Sequence, residues 1–138
     1  MIGVIMGEEY LIELSKSNFR VSNSIYNKYE EGDRDYNIIA YHLYKSFELI
    51  LKFIALNCKQ YYTNRDTIID LKRIIEDKDS KLIKKNGILF DNIFEINTWD
   101  IETRYNKNFK PDRELVKYLL VAYEELINYN SDCQEQVV

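Results

Sequence analysis

The sequence predicts an all-α fold, an antiparallel up-and-down bundle of about four to five helices, and three observations carry that expectation. Apolar residues recur at spacings of three and four along most of the chain, the period of amphipathic helices rather than the alternation of strands. Four Gly and one Pro in 138 residues are too few to supply the turns of a β fold. Hydrophobic residues make up 46% of the chain and include eighteen Ile, enough large apolar groups to build a core without disulfides or metal. The chain reads as one domain over residues 1–138, with its core at about 9–130.

The first stripe, Leu11, Leu14, Asn18, Val21, Ile25 and Tyr29, predicts an opening helix that ends near Gly32, a residue able to take the left-handed cap conformation. Asp33 or Asp35 then caps a second helix, expected from about Arg34 to Lys59. Tyr36, Ile39, Ala40, Leu43, Phe47, Ile50, Leu51, Ile54 and Cys58 share one broad face of it. Ile38, Leu49, Phe53 and Leu56 form a second apolar strip, which leaves only a narrow polar sector with Tyr41, Tyr44, Lys45, Glu48 and Lys52. A helix apolar nearly all round is buried nearly all round, so this one is expected at the centre. Its second strip predicts a two-fold homodimer.

Thr67-Ile68-Ile69-Asp70 approximates a capping box and opens a short helix with Leu71, Ile74 and Ile75 inward. Ser80 is placed to cap a fourth helix running through Leu82, Leu89, Ile93 and Ile96, with Asn86-Gly87 as a break or kink. Thr98 to Pro111 reads as irregular. The last helix is expected to begin near Asp112 and to carry Leu115, Leu119, Ala122, Leu126 and Tyr129 inward.

Charge and motif content narrow the functions. The net charge of −4 gives no global basic field. Residues 59–113 nevertheless hold twelve Lys/Arg against ten Asp/Glu, and residues 114–138 hold one against five, so the middle of the chain carries either a modest basic patch or an ordinary solvated surface. Twelve Tyr offer stacking faces for single-stranded nucleic acid, but Asn, Ile and Lys are abundant beside them, and composition is the simpler cause. One His, two Cys and no CxxC exclude a zinc site of the usual spacing. No GxGxxG, GxxxxGK[ST], HExxH or GxSxG is present, so no cofactor and no metal are expected. The apolar start, Met1 to Gly7, is too short for a signal peptide and lacks a basic leader, and no apolar run approaches the ~20 residues of a membrane span. The expectation is a cytoplasmic protein with no membrane partner.

Three stretches carry a family resemblance. Ala40-Tyr41-His42-Leu43-Tyr44-Lys45-Ser46-Phe47-Glu48-Leu49-Ile50-Leu51-Lys52 resembles the second-helix signature of HEPN domains, in which His42, Glu48, Leu51 and Lys52 have counterparts. Thr67-Ile68-Ile69-Asp70-Leu71 is similar to the family's T-x-H-D-L segment, with Ile69 in place of the histidine. Glu102-Thr103-Arg104-Tyr105 is similar to the arginine-tyrosine element before the last helix, with Asn106 where many relatives have proline. The resemblance implies a HEPN-like helical bundle, often dimeric, that serves as a toxin or RNase in defence systems or as a partner of a minimal nucleotidyltransferase. RNase members carry R-x(4–6)-H. Here Arg34 stands eight positions before His42, and no histidine follows Arg104.

The resemblance therefore implies a non-catalytic module that engages a nucleotide, RNA or a partner protein. The alternatives are a divergent RNase toxin and an immunity or scaffold protein. RNA cleavage through the 2′-hydroxyl needs a base near neutral pKa and a cation for the phosphorane. His42 is the only residue whose ordinary pKa suits the first role, and Lys45, Lys52 and Arg104 are candidates for the second. The candidate ligand-binding set is thus His42, Lys45, Glu48, Lys52, Arg104 and Tyr105. Each also has a structural reading: His42 as a packing histidine, Glu48 and Lys52 as a helix-stabilising ion pair, Arg104 and Tyr105 as a loop tie over a packed ring.

Overall fold

A computed structural model of the chain describes residues 2–129, with side chains from Glu9 onward. Seven α-helices follow one another among the described residues, with no strand: α1 (Ile2–Lys28), α2 (Tyr36–Asn57), α3 (Ile68–Glu76), α4 (Ser80–Lys85), α5 (Gly87–Asp91), α6 (Ile93–Tyr105) and α7 (Arg113–Ile127). The all-α expectation holds. The count exceeds it because the expected fourth helix breaks at Asn86 and Asn92. There each carboxamide donates to the carbonyl four residues back, Asn86 Nδ2 to Leu82 O at 2.8 Å and Asn92 Nδ2 to Ile88 O at 2.9 Å. A side chain that takes the carbonyl its own backbone N–H would have used competes with the helix ladder.

Local chemistry sets the other boundaries. α1 gives way to a 3₁₀ turn, Glu31–Asp33, which Glu30 enters in an extended conformation at φ −68°, ψ 156°. Gly32 does not adopt positive φ, so it is not the left-handed cap expected of it. Asp35, not Asp33, caps α2 by accepting from the N–H groups of Asn37 and Ile38. The left-handed residue is Lys59, at φ 58°, just past α2. The Lys59 N–H bonds Leu56 O and the Gln60 N–H bonds Ala55 O, both at 2.9 Å, which is a Schellman closure built without glycine. Thr67 and Asp70 complete the capping box of α3. α4 is capped by Asp79 rather than Ser80, and α7 by Asp112.

α2 is the central helix. Ile39, Ala40, Leu43, Phe47 and Leu51 are fully buried, and their core cluster takes residues from all seven helices. Tyr44, expected in the polar sector, is buried too. Leu49, Phe53 and Leu56 of the second strip are half-buried, while Ile38 is 43% exposed. α6 overturns the expectation of an irregular stretch from Thr98, since residues 98–105 are helical. Apolar groups lie on both of its sides, with Ile93, Ile96 and Trp99 buried and Phe94 and Ile101 exposed, so no single stripe marks it.

Against α2, α1 turns Ser15, Phe19 and Ser22 fully inward, whereas the expected Val21 and Tyr29 are exposed. Ser15 Oγ donates to Ser46 O at 2.6 Å and Ser22 Oγ donates to Ile39 O at 2.8 Å. Since the one proton of Ser15 is used, the Tyr123 hydroxyl donates to Ser15 Oγ at 2.7 Å, tying α7 into the same buried chain. Burial pushes the Tyr123 hydroxyl up to about 12, so it stays a donor. Ser15 with Ser46, Asn18 with His42 and Ser22 with Ile39 are pairs whose residue numbers add to 60 or 61, the signature of an antiparallel hairpin held in one register.

Candidate functional site

The polar sector of α2 divides in two. On the α1 side, the Asn18 carboxamide donates from Nδ2 to Leu14 O at 2.9 Å, which turns Oδ1 toward α2. His42 Nδ1–H donates to that oxygen at 2.8 Å. The neutral ring therefore carries its proton on Nδ1 and a lone pair on Nε2. Burial lowers the pKa of His42, so the neutral form prevails at pH 7.

On the α6 side lies a seam of paired charges. Glu48 stands between Lys45 at 3.1 Å and Lys52 at 3.9 Å, spacings of three and four along α2. Lys52 Nζ lies 5.5 Å from the centroid of the Tyr62 ring. The Tyr44 hydroxyl is buried against Glu48 and Asp100; burial first, then those two carboxylates, raise its pKa far out of reach of neutral pH. Arg104 is committed within α6: Nε donates to Asp100 O at 2.7 Å, and Nη2 lies 3.1 Å from Asp100 Oδ1. Its guanidinium sits 5.3 Å from the Tyr105 ring centroid, and that ring is largely exposed.

Of the six candidates, then, Lys45, Glu48 and Lys52 form one ion-paired group, Arg104 and Tyr105 form another at the C-terminal end of α6, and His42 bonds to α1. Asp66 and Asp70, two carboxylates four residues apart, have local duties: Asp66 accepts from the Thr63 N–H at 2.7 Å, and Asp70 serves the α3 capping box.

Sequence reasoning passed over a further feature. At one end of the bundle, a concavity of about 430 Å³ opens between the α1–α2 turn and the segment leading into α7. Arg34, Lys107, Lys110 and Arg113 line it, against Asp33 and Asp35. The sequence shows half of it, since Lys107, Lys110 and Arg113 recur every three residues, but not that they meet Arg34.

Fold and seam together define a small all-helical domain whose polar residues gather along its central helix. Compared with known families, residues 10–133 match the HEPN domain, and the chain belongs to that family. No curated protein and no solved structure matches it. No helix among the described residues is long and apolar enough to cross a membrane.

Proposed function

We propose that this HEPN-family chain is a binding and interaction module rather than a nuclease, and that it engages single-stranded RNA or a nucleotide as a member of a toxin–antitoxin or defence pair. A minimal nucleotidyltransferase is the partner the family resemblance suggests. One observation carries the reading: each candidate cation that cleavage would need already faces a carboxylate, and His42 is tied to α1 rather than to any of them. His42 bonds Asn18, the two lysines share Glu48, and Arg104 bonds Asp100. A phosphorane needs a cation in contact with it. What the surface does offer is the remaining Nη1 of Arg104, which bonds no described residue, beside the open face of Tyr105: one phosphate contact next to a stacking platform.

The divergent-RNase reading rests on His42 alone, whose Nε2 keeps a lone pair suited to a base. Labelled single-stranded RNA incubated with wild-type protein and with His42→Ala separates the two. The expected outcome is no cleavage by either, with binding that weakens as salt rises and weakens about tenfold in Arg104→Ala. Cleavage by the wild type that His42→Ala abolishes would overturn the proposal in favour of a toxin. Neither cleavage nor binding would leave an immunity or scaffold role.

A further inference from the structure

We infer that the concavity at the end of the bundle is a docking groove for an extended acidic segment of a partner protein, a role separate from the RNA-binding reading of Arg104 and Tyr105. Arg34, Lys107, Lys110 and Arg113 line it against two carboxylates, and none of the four cations takes part in the three ion pairs found among the described residues. Asp35 is occupied in capping α2, which leaves Asp33 as the opposing charge without a capping duty. Like charges gathered on one hollow repel one another, and an acidic ligand between them relieves that repulsion.

The spread of the charges favours a string of carboxylates over one compact anion. Lys107, Lys110 and Arg113 stand three residues apart, on a stretch that is neither helix nor turn over 109–112. Extended chain advances up to about 3.3–3.6 Å per residue, so such neighbours are set as much as ~10 Å apart. Alternate side chains of an extended peptide recur on one face every ~6–7 Å, which lets successive carboxylates reach successive cations.

The backbone of the groove is open to a peptide as well. The N–H groups of Lys110 and Asp112 bond no described residue. Across the hollow, Arg34 at φ −71°, ψ 134° and Asp35 at φ −85°, ψ 92° are also extended. Extended chain with unused N–H groups is what a peptide pairs with when it adds alongside as a strand. The Asn37 carboxamide lies on the same wall, and its Oδ1 is buried without a donor. A side-chain amide carries an acceptor beside a donor, the complement of one peptide group. Phe109 and Pro111 add an apolar wall for a side chain of the incoming segment.

Two of the cations are braced for the task. Arg34 Nε donates to Tyr26 O at 2.6 Å, its Nη1 donates to the Tyr36 hydroxyl at 3.4 Å, and its guanidinium lies 4.1 Å from the Tyr26 ring centroid. The Arg113 guanidinium lies 4.7 Å from the centroid of the Tyr36 ring. Guanidinium groups held in this way lose little entropy when they donate to carboxylate oxygens.

Fluorescence anisotropy of a labelled, end-blocked octapeptide of repeating Glu-Glu-Leu-Ser, titrated with the full chain, tests this. Saturable binding is expected, weakening as NaCl rises from about 50 to about 300 mM. Replacing Glu by Gln in the peptide, or methylating its backbone nitrogens, should each weaken binding by about tenfold or more. Lys110→Glu and Arg113→Gln should do the same from the side of the groove. Asp33→Asn should tighten binding by about threefold, a gain that no unfolding produces. Lys52→Ala and Arg104→Ala should leave it unchanged, which separates the groove from the seam and from the RNA-binding reading. No binding, or equal binding of the Gln or the methylated peptide, would overturn the inference. So would inorganic pyrophosphate binding more tightly than the peptide through Lys110 and Arg113, which would make the hollow a small-anion site. Light scattering in which Lys110→Glu halves the mass of the wild type would give the groove to a second copy of the chain and overturn it too.

Discussion

His42 is held neutral by burial, which strips water from the imidazolium and lowers its pKa below the ordinary 6.5. The unfolded chain therefore binds the extra proton first as pH falls. The resulting stability is intact above 6.5 and declines as pH drops from there toward the folded-state value. Between about pH 7 and pH 5, the melting temperature of the wild type should fall more steeply than that of His42→Gln. Parallel curves would show that His42 titrates alike folded and unfolded. At this scale the sequence was partly legible. The broad face of α2 was read correctly from Tyr36 to Cys58, because aliphatic and aromatic residues announce their own burial. Ser15 and Ser22 did not, since a serine enters a core only when a carbonyl awaits its proton, and Ser46 O and Ile39 O belong to another helix. Tyr44 misled for the same reason: its ring is buried, and its hydroxyl has charged neighbours on α2 and α6.

Among the elements, α3 is nine residues long and depends on its start. Thr67→Ala should lower stability in urea denaturation by about 1 kcal/mol, as the loss of an N-cap usually does. Asp70 adds a pH dependence of opposite kind to an ordinary exposed carboxylate's indifference. The Thr67 N–H and hydroxyl donate to it and hold its pKa below the usual 3.8. Its contribution is present above 3.8 and is lost as pH falls through the lowered value, so wild type should exceed Asp70→Asn in stability at pH 5 and converge with it in stronger acid. A constant difference across that range would remove the carboxylate from the cap. This box was legible because its four residues are contiguous. The end of α2 was read to within two residues, at Lys59 for Asn57, although Lys59 stands where glycine would have signalled it. The fragmentation of 80–105 was half legible: Asn86-Gly87 drew notice, whereas Asn92 has no breaker beside it.

For the whole molecule, the open question in the fold is what covers its exposed apolar groups. Half-burial of Leu49, Phe53 and Leu56 within the chain leaves Ile38 as the open member of the α2 strip. The larger exposed groups are Phe94 at 69% and Ile101 at 61%, seven residues apart on one side of α6. We propose that this side of α6 pairs two copies of the chain across a two-fold axis. Light scattering should give twice the 16.6 kDa chain mass, and Phe94→Asp with Ile101→Asp should return a monomer with an unchanged helical spectrum. A wild-type monomer at high concentration would sink this assembly. The family itself was legible from the order of three short motifs, but the end cavity was not. It joins residues 33–37 to residues 107–113, and no pattern local to either segment shows that they meet.

The register of the α1–α2 hairpin has a consequence for how the chain folds as it is made. Ser15, Asn18 and Ser22 grip Ser46, His42 and Ile39 like three teeth of one zip. Sliding α1 by a turn would pull all three out at once and strand their polar atoms, so the misaligned hairpin cannot keep even part of the gain. These teeth all lie before residue 58, ahead of α3 to α7 in synthesis order. A nascent chain can therefore settle the alignment of its two longest helices first, and the later helices arrive at a platform whose register is already decided.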